Sequence, residues 1–126
     1  MFDLDRFKGI NDELGHLGGD FTLRELAAIV KSSVRKEELF ARYGGEEFVI
    51  VLPETNVENG TLVAERVRTL VERHAFQYEG KTVNVTISAG VAGTTGDLTL
   101  TPHELIRQAD EKLFGAKNAG RNRVFA

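Results

Sequence analysis

The chain has 126 residues, 41% hydrophobic and 28% charged, which is enough apolar material for one core and too little length for two ordinary domains. A balance of 16 Lys and Arg against 19 Asp and Glu leaves a net charge of -3, which argues against a broad basic surface for a nucleic-acid polymer. The absence of cysteine removes disulfides, zinc-thiolate sites and thiol nucleophiles, and the short apolar runs predict a soluble domain without a membrane span or signal peptide.

Met1-Phe2-Asp3 reads as the tail of a strand already in progress, so the expectation is a fragment of a longer protein. Leu23, Leu26, Ala27, Val30 and Val34 recur at helical spacing and predict an amphipathic helix over about residues 20–34, with Asp20 near its positive end. Residues 39–43 and 48–52 are rich in aromatic and branched side chains and flank Gly44-Gly45-Glu46-Glu47, a pattern for two strands in a tight hairpin. Val63, Val67, Leu70 and Val71 mark a second helix, with Glu65, Arg66, Arg68 and Glu72 on its polar faces. Val83, Val85, Ile87, Ala89 and Val91 alternate with smaller or polar residues and predict one half-buried strand. Thr101-Pro102-His103-Glu104 combines a capping box with proline at the first helical position, so a third helix should run through Leu105, Ile106, Ala109 and Leu113 and stop near Gly120. Val124-Phe125 fits a closing edge strand, and no internal repeat or linker interrupts the chain. Helices interspersed with hairpin-forming strands predict an α/β or α+β sandwich.

Asp3-Leu4-Asp5 ends an apparent strand, and Glu46-Glu47 sits on the hairpin turn. If strand pairing joins the two segments, hard oxygen ligands converge without histidine or cysteine, a set that suits Mg²⁺ with a phosphate better than zinc. Either motif alone is more often a solvated strand end or an acidic turn. Together with Asp3-x-Asp5-x-Phe7-Lys8 stand Asn11-Asp12, Gly15-His16-x-x-Gly19-Asp20 and Arg42-Tyr43-Gly44-Gly45-Glu46-Glu47-Phe48. In these motifs, and in Thr86-Ile87-Ser88-Ala89-Gly90-Val91, Ala109-Asp110, Ala116-Lys117 and Gly120-Arg121-Asn122-Arg123, the sequence resembles the GGDEF family of diguanylate cyclases, in the GGEEF variant. The likeness spans nearly the whole chain.

The resemblance implies a central, mostly antiparallel sheet flanked by helices, like the palm of nucleotidyl cyclases and polymerases, here N-terminally truncated. It implies condensation of two GTP molecules to cyclic di-GMP and pyrophosphate, each GTP held by one domain of a homodimer. Asp3, the Leu4 carbonyl, Glu46 and Glu47 would hold two Mg²⁺ ions, for which Mn²⁺ can substitute, with Glu46 assisting deprotonation. Gly44 and Gly45 would let backbone approach the nucleotide. Asn11 and Asp20 match positions that recognise guanine, whose N1 and N2 donors suit acceptor oxygens, although each residue taken singly fits a helix cap equally well. Lys8, Lys117 and Arg121 match phosphate-side positions. His16 is expected to be a local hydrogen-bonding residue rather than a catalyst, His74 and His103 to be structural or exposed, and Phe7 and Phe48 to be core anchors.

The family's product-inhibition motif is Arg-x-x-Asp, whereas this chain has Arg35-Lys36-Glu37-Glu38; the longer Glu38 stem puts feedback through Arg35, Glu38 and Arg66 in doubt. Phe114 stands where tyrosine is common, and the helix and full strand that normally precede the Asp-x-Asp segment are missing, which threatens the placement of Asp3. The partners implied are GTP, cyclic di-GMP, a second copy, and a sensor or receiver domain in a cytoplasmic or membrane-anchored parent, with no nucleic-acid polymer. The competing readings are a noncatalytic module sensing GTP or cyclic di-GMP, and an acidic interaction domain that would bind no GTP.

Overall fold

The computed structural model describes residues 1–96 and 99–126. Segments of period two become strands and segments of period 3.6 become helices, in the order β1 (Phe2–Leu4), α1 (Phe7–Ser33), β2 (Leu39–Gly44), β3 (Glu47–Val51), α2 (Val57–Arg73), β4 (Phe76–Tyr78), β5 (Lys81–Val83), β6 (Ile87–Gly90), α3 (Pro102–Asn118) and β7 (Val124–Phe125). Five strands form one sheet in the order β2-β3-β1-β6-β7, antiparallel except between β6 and β7, while β4 and β5 form a separate hairpin. This is the mostly antiparallel, helix-flanked sheet expected from the sequence.

β1 is the central strand: Phe2 lies opposite Phe48 and Ala89, and Asp3 opposite Glu47 and Ser88. Because side chains alternate across a sheet, Phe2, Leu4, Phe48, Ile87 and Ala89 share one face. They join Ile10, Leu23, Leu26 and Val30 of α1 and Val67 and Val71 of α2 in one buried cluster. Burying each such large side chain is worth about 1.5–3 kcal/mol. The rings of Phe2, Phe40 and Phe48 stack within it at centroid separations of 5.4 to 6.3 Å. The opposite face carries Asp3, Glu47 and Ser88 beside α3. Gly90 makes that packing close, since a Cβ there would stand 2.1 Å from the Ala109 carbonyl oxygen and 2.3 Å from the Leu113 nitrogen.

Three local expectations are corrected. The first helix starts at Phe7 rather than near residue 20, and Gly15 (φ 77, ψ 171) breaks it into two segments. Phe7, Ile10 and Leu14 do keep helical spacing, but Gly9, Gly15, Gly18 and Gly19 lower local propensity and obscure the start. Asp20 therefore lies inside the second segment instead of capping it. The alternating run from Val83 to Val91 is not one strand: β5 and β6 belong to different sheets, and residues 84–86 pair with neither. Val83, Val85, Ile87 and Ala89 are all buried, but so are Ser88 and Gly90, while Val91 is half-buried, so β6 is buried on both faces and the alternation holds only in part. Finally, the β4–β5 hairpin went unread, although its Glu79-Gly80 turn (φ 48 and 77) follows the two-residue pattern of primed turns. The third helix, its Thr101 cap donated to by the Glu104 N–H at 3.1 Å, and the closing strand β7 form as expected.

Candidate active site

Asp3 is 2% exposed, on the polar face of the central strand between Glu47 and Ser88. The β2–β3 turn reaches the end of the same strand, where the Leu4 N–H donates to the Glu46 carbonyl at 3.4 Å. Gly45 adopts φ 51, a left-handed geometry in which glycine carries no Cβ penalty, and Arg42 Nε closes the turn by donating to the Gly45 carbonyl at 2.7 Å. No atom lies within 4 Å of where a Cβ would stand on Gly44 or Gly45. The turn thus offers bare, approachable backbone beside the two glutamates.

Lys117, in the last turn of α3, pairs with Asp3 Oδ2, while Asp3 Oδ1 is buried without a hydrogen-bond partner. Burial pushes the Asp3 carboxyl up to about 6; the Lys117 ammonium opposes the rise, and Glu46 and Glu47 add to it. A buried acceptor left unpaired costs about 1–3 kcal/mol. Beside two further carboxylates, a cation would satisfy it, and an all-oxygen donor set would suit Mg²⁺. Among the described residues, no three acidic or imidazole side chains already converge at metal-ligand spacing. The fit to a divalent ion thus rests on the open Asp3 oxygen flanked by Glu47 and the Glu46 turn, with Lys117 holding the other oxygen.

The break at Gly15 brings the two segments of α1 together. A Cβ on buried Gly19 would lie 1.7 Å from Asn11 Oδ1 and 3.3 Å from Phe7 Cζ, so the Asn11 amide rests directly against the residue preceding Asp20. Neither residue caps a helix: the cap position of α1 is Arg6, in a left-handed conformation (φ 55) without a side-chain cap bond. That start leaves the first turn of α1, just past Asp5, without a side-chain cap for its backbone donors, a feature invisible in sequence. Lys8 lies in the same turn and is exposed.

Arg121 follows α3, where its N–H donates to the Ala116 carbonyl at 3.0 Å and its φ is 66. Arg35 and Glu38 follow the C-terminal end of α1, which Arg66 also touches. The Arg35 N–H donates to Glu38 Oε2 at 2.9 Å, and Arg66 Nη2 donates to the Ser33 carbonyl at 3.0 Å. His16 and His103 are exposed; half-buried His74 lies edge-on to Phe76 at 4.7 Å. Phe48 is a core residue and Phe7 is half-buried. A cavity of about 560 Å³ lies elsewhere, beyond Met1 between Val49–Val51 and Val91, and its walls are mainly apolar.

Residues 1–123 match the model of the diguanylate cyclase, GGDEF domain family. The chain belongs to that family. Diguanylate cyclase A of Treponema denticola is 46% identical over 124 residues, covering 98% of this chain but 33% of the relative. The crystallised GGDEF domain of DgcB from Caulobacter crescentus, in complex with c-di-GMP, superposes with a TM-score of 0.91 at 32% identity, covering 99% of this chain and 74% of that one. The active GGEEF domain of a diguanylate cyclase from Vibrio cholerae gives 0.87 at 37% identity, covering 98% and 78%. This GGDEF domain has the GGEEF spelling at Gly44–Phe48.

What sequence missed in the GGDEF site is the second carboxylate. Asp5 is buried and faces inward: Oδ1 accepts from Ser88 Oγ at 2.6 Å, and Oδ2 accepts from Thr86 Oγ1 at 2.7 Å and the Asn122 N–H at 2.9 Å. No spacing signal links Asp5 to partners in such distant segments.

Proposed function

We propose that this domain condenses two GTP molecules into cyclic di-GMP and pyrophosphate, acting as one half of a homodimer. The observation that carries the reading is the unpartnered, buried Asp3 oxygen beside the Glu46–Glu47 turn, with Lys117 on its other oxygen. Asp3, Glu46, Glu47 and the Leu4 carbonyl would hold Mg²⁺, with Mn²⁺ as a substitute. Bound there, the two ions would supply charge neutralisation for the triphosphate, the attacking 3′-oxygen and the leaving group.

The chain's own groups do the rest. Glu46 takes up the 3′-hydroxyl proton, while Gly44 and Gly45 admit the nucleotide against bare backbone. Lys8, Arg121 and the uncapped first turn of α1 hold phosphate oxygens, since that turn presents free donors at the positive helix end. Lys117 exchanges its carboxylate partner for phosphate when nucleotide arrives. Asn11 and Asp20, drawn together by the break at Gly15, accept from guanine N1 and N2; adenine lacks that donor pair, so GTP is preferred.

The chain spans about a third of the Treponema relative, so sensor or receiver domains belong to the proposal for the parent, as does a cytoplasmic placement beside GTP. No helix among the described residues is long and apolar enough to cross a membrane. Product feedback through Arg35, Glu38 and Arg66 is part of the same reading, supported by Arg66 reaching the α1 end next to Arg35. Incubating the full-length protein with GTP and Mg²⁺ and resolving the nucleotides tests the activity. Cyclic di-GMP is expected, and Glu46→Ala should reduce its rate by at least about a hundredfold, the size of a general-base contribution. GTP or cyclic di-GMP binding with no product would establish the sensing alternative.

A further inference from the structure

We propose that Asp5 is a positioning residue that holds Arg121 in its phosphate-facing conformation, by clasping the backbone of Asn122 from inside the fold. The inference rests on the reading of Arg121 as a phosphate contact.

Gly120, Arg121 and Asn122 have φ values of 124, 66 and 46, three successive left-handed residues. Glycine accepts that geometry freely and asparagine tolerates it, whereas for arginine it is strained, as it is at Arg6. A side chain held there relaxes to negative φ unless its surroundings impose the conformation. The surroundings here do so on both sides. The Arg121 N–H is tied to the Ala116 carbonyl, and the next N–H, that of Asn122, is tied to Asp5 Oδ2. Asn122 is also gripped through its side chain, which accepts from Arg68 Nη1 at 2.8 Å and donates to Glu72 on α2.

Asp5 is itself immobilised. It is 6% exposed, its N–H donates to the Thr86 carbonyl at 2.9 Å, and its two oxygens take the Ser88 and Thr86 hydroxyls as well as Asn122. A buried carboxylate with three donors is costly to disturb. It spans the end of β1, the start of β6 and the loop after α3. Asp3 and Asp5, two residues apart, therefore divide the work: Asp3 keeps one oxygen unpaired, and Asp5 uses both oxygens in hydrogen bonds, one of them to the loop that carries Arg121.

The test is a double-mutant cycle in the full-length protein, with affinity for α,β-methylene-GTP and Mg²⁺ read by calorimetry. Asp5→Ala is expected to weaken binding about tenfold when Arg121 is present and less than about twofold in the Arg121→Ala background, because the two residues act through one contact. Asp5→Asn should restore affinity to within about threefold, since its carbonyl can accept from Asn122 while its amide donates to the Ser88 hydroxyl. Thr86→Val, which removes one donor to Oδ2 without opening the core, gives a second and milder cycle with the same expected asymmetry, and it decides the matter if Asp5→Ala does not fold. Equal losses in both Arg121 backgrounds would overturn the positioning role while leaving Arg121 as a phosphate contact. No loss from Arg121→Ala alone would overturn the phosphate reading and the clasp with it.

Discussion

Asp3 is the residue on which the proposed metal binding and the stability of the fold meet. Its carboxyl is raised from 3.8 to about 6 by burial, with Glu46 and Glu47 adding to the rise. Between those two pH values the folded chain holds a proton that the unfolded chain has released. Metal-free stability therefore falls as pH rises from about 4 to 6, and it stays lower above the folded value. The loss attributable to this group is about 1–3 kcal/mol. Asp3→Asn removes that charge, so in EDTA at pH 7.5 the variant should unfold at higher denaturant than the parent, with the difference vanishing near pH 4. Added Mg²⁺ should reverse the order, because it stabilises only the folded state that binds it. The Mg²⁺ affinity of the parent should weaken as pH falls below about 6, as Asp3 takes up its proton. Urea titrations with and without metal check all three; an equal Mg²⁺ stabilisation of Asp3→Asn would remove Asp3 from the ligand set.

Among the elements, α1 does the most to shape the nucleotide end. Its break at Gly15 lays Asn11 against Gly19, next to Asp20, and the missing Cβ at Gly19 is what gives the amide room. Gly19→Ala should push Asn11 aside and cost about one to two decades of GTP-over-ATP preference, the value of one lost hydrogen bond to a buried group. Its Mg²⁺-dependent stabilisation should be unchanged, because Asp3 lies on a different element. Competition binding with the two nucleotides measures the preference, and retained discrimination would separate Asn11 from base recognition. Legibility in the sequence follows the same division by element. β2, β3, α2 and α3 carry their periodicity and caps locally, and they were readable within a residue or a few. The start of α1 was hidden by four glycines, and the run from Val83 to Val91 marked Val83, Val85, Ile87 and Ala89 as buried without showing that β6 is covered on both faces or which strands pair. The pairing of Asp3 with Glu47 could be anticipated because both sit in recognisable strand ends. The clasp at Asp5 could not, since its partners lie 81 to 117 residues away in sequence and include a backbone N–H that carries no residue signature.

For the whole molecule, the sheet and α3 bring one set of carboxylates together with Lys117. On the proposed function one domain holds one nucleotide, whereas cyclic di-GMP contains two 3′–5′ linkages. In each linkage the 3′-oxygen of one GTP attacks the α-phosphate of the other, so both halves of a pair must be competent to close the ring. Mixing therefore separates a paired site from a self-sufficient one. When the parent and Glu46→Ala are combined in equal amounts at fixed total concentration, well above the dimer dissociation constant, random pairing leaves about one quarter of pairs fully intact. The rate of cyclic di-GMP formation should then be about one quarter of that of the unmixed protein, and the linear dinucleotide made by half-competent pairs should accumulate. A rate of one half, unchanged on dilution, would mean that each chain works alone, and the shared site would have to be abandoned even if the metal assignments stood.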